Sequence, residues 1–139
     1  MRGAIIAGFV VAIATPSAAQ QKPLERRLAL QNAIDEYVLC SSFYVISAQC
    51  VRNNPSHQPS LAARLAAAGD KAYAAAIQIA KGIGMKPEAF AAKTRMINRD
   101  HLSTVSSDCA NISILVERHL ETCKALLDDP ETALRPRLP

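Results

Sequence analysis

The residues best equipped for chemistry in this chain are four cysteines and two histidines. Cys40 and Cys50 close the mostly apolar stretch LCSSFYVISAQC, and Cys109 and Cys123 follow in the second half. His119 and Cys123 lie four apart, a spacing that places both on one helix face and suits metal ligation. His101 could join them from a neighbouring element. Sulfur tied up in a disulfide is no longer a thiolate ligand, however, and the chain has no CxxC, HExxH or CxxCH. One pair at ligand spacing falls far short of a recognisable site, so His119 and His101 are weak metal candidates and no metal or other cofactor is expected. His119 reads instead as a partly buried core residue.

Nucleophilic catalysis finds no firmer ground. Serines cluster at Ser41 and Ser42 and again at Ser103, Ser106 and Ser107, but no GxSxG surrounds any of them. Glu117 and Glu121 are spaced as an ordinary solvated helix face, and Asp35 and Glu36 are adjacent. The GIG at Gly82 to Gly84 lacks the lysine and the preceding strand of a phosphate loop. No nucleophile and base can be paired from sequence, and the expectation is a protein that is not an enzyme.

The first residues set the compartment. Arg2 is followed by an apolar run from Gly3 to Ala14, then Pro16 and the small residues Ser17, Ala18 and Ala19. This is the pattern of a secretory leader, expected to span residues 1–19 with cleavage after Ala19. A run of about a dozen apolar residues is too short to span a bilayer, which needs about 20. The brevity of the leader points to a periplasmic or secreted protein with no membrane span after cleavage. The whole chain carries 16 Lys and Arg against 12 Asp and Glu; loss of the leader removes Arg2 alone and leaves a net charge of +3. In an exported chain four cysteines are most simply two disulfides.

The elements that must hold these residues read as helices. Leu30, Ala33, Tyr37, Cys40, Tyr44, Ser47 and Val51 recur at spacings of three and four and define a first helix over 24–51, with Pro23 in its first turn. The segment NNPSHQP breaks it. Ser60 is a candidate N-cap for a second helix over 61–81, where ten of the twenty residues from Leu61 to Ala80 are alanine. Its inward stripe is expected to be Leu61, Leu65, Ala68, Ala72, Ala76, Ile79 and Ile83. Alanine buries little area, so close packing against a neighbour is expected. Glycines end this helix, and Pro87 and Glu88 open a third, with Phe90, Thr94, Ile97, His101 and Val105 inward. Ser107 or Asp108 can cap a fourth helix carrying Cys109, Ile112, Val116, His119, Cys123 and Leu126, which Pro130 ends. No strand or hairpin signal appears. The fold expected is an all-α, small four-helix antiparallel bundle: one domain over 20–129 and a flexible tail over 130–139.

Helix geometry then constrains the disulfides. At 1.5 Å per residue Cys40 and Cys50 lie about 15 Å apart, and Cys109 and Cys123 about 21 Å. A disulfide needs Cα atoms roughly 4.4–6.8 Å apart, so both bonds must join the first helix to the last. An antiparallel first and fourth helix requires Cys50 with Cys109 and Cys40 with Cys123. The two pairs are one helical turn out of register, a mismatch that a helix tilt or a frayed start at Cys109 absorbs.

Charge is unevenly placed. Residues 60–105 hold seven basic side chains against three acidic, and residues 106–134 two basic against six acidic. Arg64, Lys71, Lys93, Arg95 and Arg99 form a candidate basic face for a partner, where charge would set association rate and orientation. Nucleic acid is not an expected partner, given the small excess of charge, few aromatic residues and export. The functional expectation is a protein-binding or accessory module acting on another exported or envelope protein. The alternatives are a small-ligand or metal carrier with a pocket at His101 and His119, and an inhibitor or immunity-type protein. A pocket of about 300 Å³ or more containing both histidines would favour the carrier.

Overall fold

The computed structural model describes residues 18–134 apart from Pro55, His57 and Ser107. Most of the expected leader, residues 1–17, and the last five residues of the expected tail lie outside the described residues, as does the candidate cap Ser107. Five helices follow in order: α1 (Ala18–Asn53), α2 (Pro59–Gly82), α3 (Pro87–Val105), α4 (Ile112–Asp128) and the short α5 (Pro130–Leu134). There is no strand among the described residues. No helix among them is long and apolar enough to cross a membrane.

Contacts between helices fix their directions. Gly69 of α2 lies against Ser41 and Val45 of α1, while Leu61 and Leu65 line one cleft with the later Ser47 and Val51, so α2 runs antiparallel to α1. On α3, Lys93 pairs with Asp35 and His101 with Ser42, so α3 runs parallel to α1. The disulfides Cys40–Cys123 and Cys50–Cys109, with Cα separations of 5.3 and 5.6 Å, hold α4 antiparallel to α1. The result is the up-down-up-down bundle expected, with the expected pairing. The missing turn of register is taken up before α4 begins: Cys109 sits in the α3–α4 connection with φ of 61°.

α1 is the central element and packs on α2, α3 and α4. From Cys40 to Tyr44 every residue is buried. The largest fully buried side chains are Phe43, Ile34, Leu115 and Leu126, closed in by Val38 and Val105. α2 lies closest to α1, along a seam of Ala62, Gly69, Ala72, Ala76 and Ala80. Small side chains at this spacing let two backbones approach, as the alanine content predicts. At Gly69 a Cβ would stand 2.9 Å from Val45 Cγ2 and 3.3 Å from the Ser41 carbonyl oxygen.

Several boundaries differ from those read in the sequence. α1 begins at Ala18 and carries Pro23 inside it, where the sequence places the helix start after that proline. Its segment over 22–28 is exposed, and Leu24 and Leu28 project into solvent. α2 starts at Pro59 with Gln58 as its N-cap, so Ser60 is already helical. Pro59 takes the first-turn position that suits a residue without an N–H. The N-cap of α4 is Asn111; the Asp108 carboxylate instead accepts the Ala110 N–H at 3.1 Å in the preceding turn. The left-handed Gly84 (φ 68°) ends the α2 turn as expected. Residues 130–134, expected in a flexible tail, form α5, and Ala133 and Leu134 pack on the core. Pro130 ends α4 yet suits the first position of the next helix, and Asp129 Oδ1 accepts the Thr132 N–H at 3.1 Å. Hydrogen bonding to Thr132 holds the Asp129 carboxyl below its usual range.

Candidate functional site

α2 and α4 flank α1 and barely touch each other. Between their N-terminal halves a cleft of about 590 Å³ opens at the Cys50–Cys109 end of the bundle. Its floor is the last three turns of α1, with Phe43, Ser47 and Val51. Its walls are Leu61 and Leu65 from α2 and Ile112, Val116 and Leu120 from α4, each set spaced by four so that one face of each helix looks inward. Asn53, Asn54 and Asp108 give it a polar rim. The Ser47 hydroxyl is buried without a hydrogen-bond partner among the described residues. Leaving a buried hydroxyl unpaired costs about 1–3 kcal/mol, which makes it an available polar contact on an otherwise apolar floor.

The histidines meet elsewhere, between α1, α3 and α4. Ring centroids of His101 and His119 are 5.0 Å apart, and His119 also stands 6.1 Å from the Phe43 ring. His101 Nδ1 lies 3.0 Å from Ser42 Oγ, a buried hydrogen bond. Burial and the neighbouring His119 push the His101 imidazole down to about 4, with Asp100 acting in the opposite direction. Burial, then the Arg118 charge, lowers His119 as well. The cavity containing both rings measures about 220 Å³. No group of three or more His, Cys, Asp and Glu side chains among the described residues could hold a metal ion.

Ser42 with His101 is a serine–histidine pair that sequence spacing does not reveal, because the partners are 59 residues apart. It is poorly suited to nucleophilic catalysis. An imidazole titrating near 4 is a weak base at neutral pH, where general bases work best with matched values. Ser42 itself is only 3 % exposed. The bond satisfies two buried polar groups at once.

The candidate basic face is only partly free. Lys93 forms an ion pair with Asp35. Lys71 donates from Nζ to the Leu127 carbonyl at 2.8 Å, at the C-terminal end of α4, where the helix dipole favours a cation. Arg64, Arg95 and Arg99 are exposed. The structure thus brings together the four cysteines and the two histidines, spreads the basic residues, and adds the apolar cleft. Leu61, Leu65, Ile112 and Val116 stand in the inward stripes read from the sequence, yet they line an open cleft rather than a closed core. A stripe of apolar residues cannot reveal whether the opposing wall is present. No family model matches the chain, and no curated protein or solved structure does.

Proposed function

We propose that the protein is a small exported binding module, without enzymatic activity, that holds an apolar segment of another exported or envelope protein in the cleft between α1, α2 and α4. The observation that carries this reading is the cleft itself. It offers about 590 Å³ with an apolar lining from three helices, one polar group on its floor and a polar rim. Concave, mostly apolar sites with few polar groups are the usual form of a binding site. Two disulfides in so short a chain support the exported compartment, together with the leader pattern of residues 1–19. Cleavage after Ala19 would also bring Pro23 into the first turn of α1, where proline is tolerated. An inhibitor or immunity-type protein is one form of the same activity.

The carrier alternative has less support. The histidine cavity, at about 220 Å³, is below the roughly 300 Å³ of typical small-molecule sites. The larger cleft has neither histidine in its lining.

Site-specific photo-crosslinking in the producing cell tests the reading. A photoreactive residue at Leu120, on the cleft wall, should give discrete protein adducts that disappear when Leu65→Asp is added. The same probe at Leu102, exposed on α3, should not. Equal adducts at both positions, or none at Leu120, would remove the cleft from the function.

A further inference from the structure

The two disulfides sit in different surroundings. Cys40 and Cys123 are both fully buried in the core. Cys50 and Cys109 are partly exposed and line the solvent-open cleft. Cys109 is held at φ 61°, and Ser106 in the same connection at φ 67°; both lie in the left-handed region, which is costly for residues with a Cβ. The accessible disulfide therefore pins a strained turn, while the inaccessible one lies in regular helix on both sides.

We propose that Cys50–Cys109 is a thiol-exchange site, opened by a small thiol entering the cleft while Cys40–Cys123 stays closed. The incoming thiolate attacks Cys50 Sγ along the cleft and forms a mixed disulfide there. The original S–S bond breaks, and its electron pair leaves on Cys109 Sγ. That thiolate forms just ahead of the N-terminus of α4, the end of the helix dipole that favours negative charge. The adjacent Asp108 carboxylate is engaged with the Ala110 N–H. A second thiol attacks the small-thiol sulfur of the mixed disulfide and releases Cys50 as thiolate. Two thiols are oxidised to one disulfide, the protein bond takes up the two electrons, and Cys50 and Cys109 gain the protons. Exchange frees the 106–111 connection from the end of α1, so the thiol balance of the compartment would set how firmly the cleft wall is held. The chemistry needs only the open cleft, not its occupant, so it stands or falls separately from the binding reading.

The test uses the oxidised mature protein, titrated with reduced glutathione, quenched in acid, alkylated and peptide-mapped. Cys50 and Cys109 should become alkylated at least roughly tenfold faster than Cys40 and Cys123, as accessibility dictates, with the glutathionyl adduct on Cys50 and helical circular dichroism retained. Reduction of both bonds together, earlier loss of Cys40–Cys123, resistance of both bonds until unfolding, or an adduct on Cys109 would each overturn the proposal.

Discussion

His101 shows how a single side chain ties burial to pH. Its ring is buried and bonded to Ser42 Oγ, and it titrates near 4 rather than at the ordinary value of 6.5. Because the unfolded chain binds the proton more readily, the neutral ring supports the fold fully above about pH 6.5. That support is lost as pH falls toward 4. His119 shifts in the same direction and adds to the trend. The midpoint of thermal unfolding should therefore drop between pH 6.5 and 5, before most carboxylates titrate. His101→Gln, which keeps a hydrogen-bonding group beside Ser42, should shrink that drop at a cost of about 1 kcal/mol at pH 7. An unchanged pH dependence in the variant would show that the ring is protonated without penalty. The proximity of His101 and His119 was legible in part, since each stands on the inward stripe of its helix. Ser42 was not, because its bond depends on the register of α3 against α1, which no local pattern encodes.

Among the elements, α2 owes its position to what it lacks. At Gly69 an added methyl would press on Val45 Cγ2 at 2.9 Å and on the Ser41 carbonyl at 3.3 Å. Replacing a mid-helix glycine by alanine ordinarily gains about 1 kcal/mol of helix propensity. Here Gly69→Ala should instead destabilise by about 1 kcal/mol, because β-branched Val45 has essentially one rotamer on a helix and cannot swing aside. Val45 is 45 % exposed, so Val45→Ala alone should cost little, and in that background Gly69→Ala should cease to destabilise. Chemical denaturation of the four proteins in the cycle measures the coupling. Lys71 is a smaller case: Lys71→Met should cost about 0.5 kcal/mol through its lost bond to the Leu127 carbonyl, and the difference should shrink at high salt. The four bundle helices, their order and the alanine packing of α2 could be read from periodicity and breakers. The α1 stripe could not be read fully: it omits Ile34, Val38 and Phe43, all fully buried, because a central helix is covered on several sides and has no single apolar face. α5 was hidden by a proline that both ends one helix and opens the next.

For the whole molecule the disulfides are nested, with separations of 83 and 59 residues. Each alone contributes about 4 kcal/mol in the chain-entropy account, but the second closes a much shorter effective loop once the first exists, by about 1 kcal/mol of entropy. Cys40→Ala/Cys123→Ala and Cys50→Ala/Cys109→Ala should each leave a folded, less stable helical protein. Loss of all four cysteines should cost more than the two separate losses combined, measured by thermal and chemical unfolding. Nesting also has a consequence for how the protein is made. In an exported chain, which emerges from its N-terminus, Cys40 and Cys50 would meet the oxidant before Cys109 and Cys123 exist in the same space. Pairing in order of appearance would join Cys40 to Cys50, a bond absent from the native connectivity. The remedy is built into the first element to appear. Once α1 is helical its two sulfurs are held about 15 Å apart, and zipping onto α2 supplies local contacts that keep it so. Early secondary structure would therefore act as a proofreader of oxidation, holding the thiols in reserve until α4 arrives. Placing a helix-breaking proline at exposed Gln49 should leave the late cysteines unpaired for longer and accumulate a Cys40–Cys50 intermediate during oxidative refolding, and adding a disulfide isomerase should clear it.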